Sequence, residues 1–214
     1  MEIIWYGHSC FRINERSMAS VVTDPYNSEV VGYAPLKLRA EIVTVSTDMP
    51  GHNYRKAVKG DAQAITGPGE YEIGGVFITG LQTNGHKKNE EEKHNTLYMI
   101  DYGSFTIAHL GEMTRVPSQA DIEALGTVNI ALVPVGDLTS LNAAKAAEVI
   151  SLLEPSIVIP MHYGTPESKM NLDPLGKFLK EMGLNQLETA ESFKVTSSTA
   201  LPDETKVIVL DRRS

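Results

Sequence analysis

The sequence predicts a mixed α/β protein with two β-sheets, and three observations support this interpretation. Short apolar segments rich in β-branched residues recur along the chain, with turn residues between them, as is typical of strands. Helical patterns are fewer and lie mainly in the second half. Runs of strands are followed by strand–helix–strand units, and this order favours a mixed architecture over an all-β one.

The predicted strands are short and are separated by turn signals. They cover residues 2–6, 10–14, 20–23, 42–46, 62–65, 76–79, 96–100, 105–108, 130–133, 157–159, 193–196 and 206–210. The pair Gly74-Gly75 between residues 71–73 and 76–78 indicates a hairpin, because two adjacent glycines suit a tight turn. A second turn is expected at Tyr102-Gly103.

Helices are predicted where capping residues flank an apolar face. They cover residues 53–59, 118–125, 142–153 and 173–182. Ser118 is a suitable N-cap and Gly126 a suitable stop for the second of them. The third ends before Pro155, and Asp173-Pro174 places proline at the first position of the fourth.

Composition and charge narrow the class of protein. The chain has 214 residues, 42% of them apolar and 21% charged, which suits one globular domain over residues 1–214. Nineteen Lys and Arg against 27 Asp and Glu give a net charge of −8, which argues against a nucleic-acid partner. We expect a cytoplasmic protein without a membrane partner, because the N-terminus lacks a basic signal region and no apolar run approaches the ~18 residues of a membrane span.

Metal chemistry would have to draw on few residues. Cys10 is the one cysteine, so an intrachain disulfide and a cysteine-based zinc site are excluded, and there are six histidines.

Polar motifs follow several predicted strands, at the strand ends where α/β sheets place ligand sites. They are Gly7-His8-Ser9-Cys10-Phe11, Thr23-Asp24-Pro25, Ser46-Thr47-Asp48-Met49-Pro50-Gly51-His52, Gly67 to Gly75, His109-Leu110-Gly111-Glu112 and Ile159-Pro160-Met161-His162-Tyr163.

Together, in this order and over nearly the whole chain, these motifs resemble the metallo-β-lactamase-fold metal-dependent hydrolases. The resemblance extends to the branch that contains ascorbate-phosphate lactonase-like proteins. It implies a four-layer αββα sandwich, in which two mixed sheets pack face to face and helices cover the outer faces.

The resemblance also shows that the central metal motif is damaged. The family pattern His-x-His-x-Asp-His corresponds here to residues 47–52, where Thr47, Met49 and Gly51 replace three ligands and His52 alone is kept. The first of the family's two metal sites would have Thr47, Met49 and a histidine near His86, which lies within one residue of the family position. Threonine and methionine do not replace imidazole for zinc, so we interpret this site as lost.

The second site keeps more of its ligands. His52 and His162 match family histidines directly, and Glu112 stands where the family has a bridging aspartate. These three residues could bind one divalent ion, zinc first and manganese or iron as alternatives. His8 lies near the site in relatives, and Asp48 could act as a ligand or base. Asp24 is expected to support the site loops through backbone hydrogen bonds.

Two functions from different classes remain open at this point. One is metal-assisted hydrolysis of a small ester, lactone or phosphoester, with metal-bound water as the nucleophile. The other is a catalytically inactive family member without a bound ion, which keeps the pocket as a small-molecule-binding or homo-oligomeric module. Nucleic-acid processing, known for some relatives of this fold, is disfavoured by the negative charge.

Overall fold

The computed structural model describes residues 1–83, 94–185 and 188–214. Its strands, in chain order, are β1 (Glu2–Gly7), β2 (Cys10–Asn14), β3 (Val21–Thr23), β4 (Leu38–Arg39), β5 (Ile42–Thr44), β6 (Val58–Lys59), β7 (Gln63–Ile65), β8 (Gly69–Ile73), β9 (Val76–Gln82), β10 (Thr96–Asp101), β11 (Thr106–His109), β12 (Ile130–Pro134), β13 (Ile157–Met161), β14 (Thr189–Ala190), β15 (Phe193–Lys194), β16 (Lys206–Val207) and β17 (Val209–Leu210). The helices are α1 (Ser28–Val31), α2 (Gln119–Leu125), α3 (Ala143–Leu153) and α4 (Leu175–Glu181).

Two large mixed sheets form the frame. The first has the order β15-β1-β2-β3-β5-β7, and the second has the order β16-β13-β12-β11-β10-β9-β8. In the second sheet β8 to β11 are antiparallel neighbours, while β11, β12, β13 and β16 run parallel. Tight turns such as Gly74-Gly75 make the antiparallel part, because both glycines have the positive φ that such a turn requires. Helices α2 and α3 link the parallel strands.

The core lies between the two sheets. Alternation along each strand sends Phe11 and Ile13 of β2 inward, and they meet side chains of the second sheet in one buried apolar cluster. Tyr98 of β10 crosses this layer, and its hydroxyl donates hydrogen bonds to the carbonyls of Val45 at 2.8 Å and Ile65 at 3.2 Å. The sheets are therefore joined by polar contacts as well as by apolar packing.

The outer faces are covered unequally. On the second sheet, α3 packs with α4 and against β12, and it buries one apolar side. On the first sheet, a smaller apolar cluster around Tyr26 and Tyr33 covers the outward side chains, and its helical part is the single turn α1. The predicted metallo-β-lactamase sandwich is confirmed. The outer layer over the first sheet consists largely of irregular chain instead of helices.

Local capping explains which helix predictions hold. Ser118 accepts a hydrogen bond from the backbone N–H of Asp121, whose side chain in turn accepts one from the backbone N–H of Ser118, and together these bonds form a complete capping box for α2.

The predicted helix over 53–59 is wrong. The structure has a single 3₁₀ turn, Arg55–Ala57, followed by β6, because Val58 pairs with Leu38 of β4. Among the described residues, no helix combines the length and the apolar character needed to span a bilayer.

Candidate metal centre

Three histidines from distant parts of the chain meet at one end of the sheets. His8 lies in the turn between β1 and β2, His52 in the loop after β5, and His162 directly after β13. The Nε2 atoms of His8 and His52 are 3.2 Å apart, and the ring centres of His8 and His162 are 4.2 Å apart. One ring nitrogen of each histidine lies within 4.8 Å of the others, and all three side chains are buried.

The backbone is held in an uncommon conformation at this centre. His8, Asp24 and His162 have φ values of 52°, 38° and 53°, in the left-handed region that costs a non-glycine residue about 1 kcal/mol or more. The carbonyl of His8 accepts hydrogen bonds from Trp5 Nε1 at 3.0 Å and from the backbone N–H of His162 at 3.1 Å. These bonds join the loops that carry His8 and His162 and hold them in place.

Asp24 supports the centre from behind. Its Oδ2 accepts hydrogen bonds from Nδ1 of His52 at 2.8 Å and from the hydroxyl of Ser46, and its Oδ1 accepts one from the backbone N–H of Ser46 at 2.7 Å. Burial alone would raise the pKa of Asp24, but His109, His52 and these hydrogen bonds outweigh it and lower the pKa. The sequence prediction that Asp24 supports the site loops through backbone hydrogen bonds is confirmed.

Glu112 closes another side of the histidine cluster. Its Oε1 is 3.7 Å from Nε2 of His162 and 3.9 Å from Nε2 of His52, and it accepts a hydrogen bond from the hydroxyl of Thr139. The turn before Glu112 is fixed by Asn95, whose side-chain oxygen accepts a hydrogen bond from the Glu112 backbone N–H at 2.6 Å. The carboxylate is almost fully buried, so it faces the histidines rather than solvent.

The imidazoles present ring nitrogens to one another, and Nε2 of His8 lies within hydrogen-bond distance of Nε2 of His52. His162 Nδ1 is 3.3 Å from the hydroxyl of Ser140, which also lies 3.3 Å from the carbonyl of Asp137. If the Ser140 hydroxyl donates to the carbonyl of Asp137, its oxygen accepts a hydrogen bond from Nδ1–H of His162. The lone pair of His162 is then on Nε2, and this buried nitrogen has no hydrogen-bond partner. Burial, with His52 nearby, lowers the pKa of His162 to about 3. Burial, with His162 and His52 nearby, also lowers the pKa of His8 well below its ordinary value.

This donor set fits a divalent ion. Neutral imidazoles and a buried carboxylate are ligands that zinc and similar ions accept, and the second ring nitrogens of His52 and His162 are oriented by Asp24 and Ser140, as in known metal sites. The unpartnered Nε2 of His162 is a buried polar atom that such an ion would satisfy. Within the described ranges, His8, His52 and His162 form the one cluster of at least three potential ligands.

The structure brings some of the predicted site residues together and places others elsewhere. His52, His162 and Glu112 come together, and His8, predicted to have a catalytic role, lies among them. Asp48, the other predicted catalytic residue, is exposed and accepts a hydrogen bond from the side chain of Asn53 at 3.1 Å. His86 lies outside the described residues.

Besides Asp24, the residues that orient the ligands were not found from the sequence. Ser140 and Thr139 lie after β12, and Asn95 lies just before β10. One signal for the first two was available: polar residues follow β12 just as they follow β5, β11 and β13, which supply the ligand loops. Thr47 is buried and lines a cavity of about 250 Å³ together with Asp48 and His94.

Comparisons with known proteins agree with the fold. A family model described as β-lactamase superfamily domain matches residues 2–162. A UPF0173 protein of Pyrococcus abyssi is 27% identical over 188 residues, which cover 77% of this chain and 84% of that protein. A UPF0173 metal-dependent hydrolase of Methanopyrus kandleri is 24% identical over 230 residues, with 91% of this chain and 100% of that protein covered.

A solved structure extends the similarity over almost the full length. It is a Thermotoga maritima protein described as a Zn-dependent hydrolase of the metallo-β-lactamase superfamily, with 31% identity and a TM-score of 0.81 over 98% of this chain and 97% of that one. The fold is thus the metallo-β-lactamase fold. The chain belongs to the β-lactamase superfamily, and the UPF0173 proteins are among its relatives. None of the three relatives named above is described as an ascorbate-phosphate lactonase, so that finer assignment stays a prediction.

Proposed function

We propose that the protein is a hydrolase that uses a single divalent ion, with zinc as the preferred metal, to cleave a small ester, lactone or phosphoester. His52, His162 and Glu112 would hold the ion. The observation that carries the proposal is the unpartnered, buried Nε2 of His162, which faces a carboxylate oxygen 3.7 Å away instead of a hydrogen-bond donor. An atom of this kind is costly to bury unless a ligand satisfies it.

The chemistry of the donors supports zinc. Two imidazoles with one carboxylate are the ligand set of several catalytic zinc sites, which leave a coordination position open for substrate or water. When bound, such an ion acts as a Lewis acid and lowers the pKa of water. The same donors also suit iron or manganese, so the metal preference is to be measured.

Side chains around the centre would balance the charge of the ion and orient its ligands. Glu112 would supply negative charge that offsets part of the ion's charge, because burial lowers the pKa of His8 and His162 and so favours their neutral forms. The hydrogen bond to Asp24 favours the tautomer of His52 with its proton on Nδ1, which leaves the lone pair on Nε2 for the ion. Ser140 does the same for His162 through its hydroxyl. Burial of His8, His52, His162 and Glu112 keeps these side chains away from bulk water.

The proposal is tested by metal content and chelation. The protein, purified after growth with added zinc, should contain about one ion per chain by elemental analysis, since the described part of the chain offers one ligand cluster. His162→Asn should lose the ion, and asparagine tolerates the positive φ at this position better than most residues. His94→Asn is the matched control, because His94 is an exposed histidine outside the cluster.

Activity is then measured on a panel of lactones, carboxylic esters and bis-p-nitrophenyl phosphate. Hydrolysis that disappears with a chelator and returns with zinc supports the proposal. Absence of metal in the wild-type protein under zinc-replete conditions, or hydrolysis that is insensitive to the chelator, would contradict it. A protein without metal that still binds small molecules would instead support the inactive ligand-binding alternative.

A further inference from the structure

His8 is not among the three ligands named in the proposed function, yet its ring lies inside the histidine cluster. We propose that His8 is a third imidazole ligand of the ion and that residue 51 is glycine because the His8 ring occupies the space beside it. This inference rests on the proposed single-ion site and specifies how that site is completed.

The distances within the cluster suit shared coordination. The Nε2 atoms of His8 and His52 are 3.2 Å apart. Two nitrogens bound to one tetrahedral zinc at ~2.0–2.1 Å are separated by roughly 3.3 Å, the edge of that tetrahedron. The ring of His8 also lies against that of His162, with centres 4.2 Å apart, and the ligand nitrogens of the three histidines lie within 4.8 Å of one another. Binding of one ion would therefore draw the more distant of these nitrogens closer together.

Gly51 is the neighbour that makes room for this ring. A Cβ atom added at Gly51 would lie 2.9 Å from Nε2 of His8, 3.5 Å from its Cδ2 and 3.9 Å from its Cε1. All three contacts are with His8, and the nearest is the nitrogen that faces His52. The backbone of Gly51 does not itself require glycine, because its φ is not among the positive values. The absence of a side chain at residue 51 therefore matters for the position of His8 Nε2.

The main chain of His8 is also held in a defined conformation. It follows Gly7, whose φ is 109°, and itself has a φ of 52°, and its carbonyl is held by Trp5 and His162. Strained backbone that the surrounding structure holds in place is typical of ligand-binding positions. With His8 included, the donor set becomes three imidazoles and the nearby carboxylate of Glu112, which favours zinc or cobalt over magnesium.

The test compares metal affinity and coordination in a mutant cycle. Chelator-treated wild-type protein and the variants His8→Asn, Gly51→Ala and His8→Asn/Gly51→Ala are titrated with Zn²⁺ against a chromophoric chelator. The visible spectrum of the Co²⁺ form is recorded for each, because its intensity and band positions report the ligands and geometry. His94→Asn and Gly176→Ala are matched controls, since His94 is exposed and a Cβ at Gly176 meets nothing within 4 Å.

We expect His8→Asn to weaken Zn²⁺ binding by at least about a hundredfold, more than the loss of an orienting residue does, and to alter the Co²⁺ spectrum. Gly51→Ala should weaken binding by about tenfold, an effect comparable to the disturbance of ligand orientation. In the His8→Asn background, Gly51→Ala should have almost no further effect, because the ring that it displaces is gone. The two controls should bind Zn²⁺ as the wild type does.

The outcomes separate this inference from the proposed function. If His162→Asn loses the ion while His8→Asn retains wild-type affinity and an unchanged Co²⁺ spectrum, the single-ion site stands and the third ligand is wrong. A wild-type protein that binds no ion overturns both proposals. Should His8→Asn fail to fold, judged by circular dichroism, Gly51→Ala decides alone: an unchanged Co²⁺ spectrum and affinity would overturn the inference.

Discussion

Asp24 Oδ2 lies 2.8 Å from Nδ1 of His52, and this bond determines which nitrogen of His52 faces the cluster. A carboxylate accepts hydrogen bonds and does not donate them, so the proton of the imidazole is on Nδ1 and the lone pair is on Nε2. Asp24 lies at the end of β3 and His52 in the loop after β5, so this orientation depends on two neighbouring parallel strands. The arrangement yields the first prediction.

Asp24→Asn should weaken metal binding and destabilise the fold. Asparagine tolerates the φ of 38° at this position, but its amide cannot accept all the hydrogen bonds that the carboxylate accepts from Ser46 and His52. We expect Zn²⁺ affinity to fall by about 10–100-fold. The free energy of unfolding, measured with urea, should fall by about 1–3 kcal/mol. Asp203→Asn, at an exposed position, should change it by less than about 0.5 kcal/mol, and an equal loss in both variants would contradict the prediction.

Zn²⁺ should raise the melting temperature of the protein. An ion that binds only the folded state adds about 2.7 kcal/mol of stability at a free concentration of 100 times its Kd. For a chain of this length that corresponds to roughly 5–10 °C. Differential scanning fluorimetry with and without a chelator measures the shift, and His162→Asn should abolish it. Equal melting temperatures of the wild type in Zn²⁺ and in chelator would show that no such ion binds.

The metal-free protein should lose stability as the pH falls below about 6.5. The pKa of His162 is lowered to about 3 by burial, and that of His8 is lowered well below its ordinary value for the same main reason. At a pH between the lowered pKa of each histidine in the folded protein and its ordinary pKa in the unfolded chain, the unfolded chain binds a proton that the folded protein does not. Lowering the pH through this window therefore favours unfolding. Each such histidine contributes a loss of about 1.4 kcal/mol per pH unit in this window, and the stabilisation is complete above it.

Urea unfolding of the chelated protein between pH 8 and pH 5 tests this dependence. The stability should be level from pH 8 to about pH 7 and then decline as the pH is lowered. His162→Asn should show a shallower decline, because one of the buried neutral histidines has been removed. Stability that is constant or rises towards pH 5 would contradict the assignment of neutral histidines to the cluster.

Tyr98→Phe tests the polar link between the two sheets. The hydroxyl of Tyr98 is fully buried and donates to the carbonyls of Val45 and Ile65 at 2.8 and 3.2 Å. Its removal leaves buried carbonyls with one donor fewer, and we expect a loss of about 1–2 kcal/mol in urea unfolding. Tyr54→Phe removes a hydroxyl from a side chain that is 41% exposed and should cost much less. Similar losses in the two variants would exclude a special role for Tyr98.

Much of the secondary structure was predictable because it depends on local patterns, and the fold and part of the centre were predictable from the family resemblance. Capping residues such as Ser118, and the turn at Gly74-Gly75, act within a few residues of chain. The motifs around His52, Glu112 and His162 resemble those of a known family strongly enough to predict the sandwich and three of the residues that meet. The helix predicted over 53–59 failed because a nonlocal partner, β4, draws Val58 into a strand pair.

The sequence by itself determined the alternation that builds two sheets and the caps that bound the helices. The replacement of metal ligands at Thr47, Met49 and Gly51 stays a prediction from the family resemblance. Only the tertiary structure decided that His8 lies beside Gly51, 3.2 Å from His52, and that Asp48 lies in the solvent. The physical reason is that residues 8, 52 and 162 are brought together by strand pairing and sheet packing. His8 and His52 are 44 residues apart in the chain and His162 is more than a hundred from either, so these contacts leave no periodic signal in the sequence.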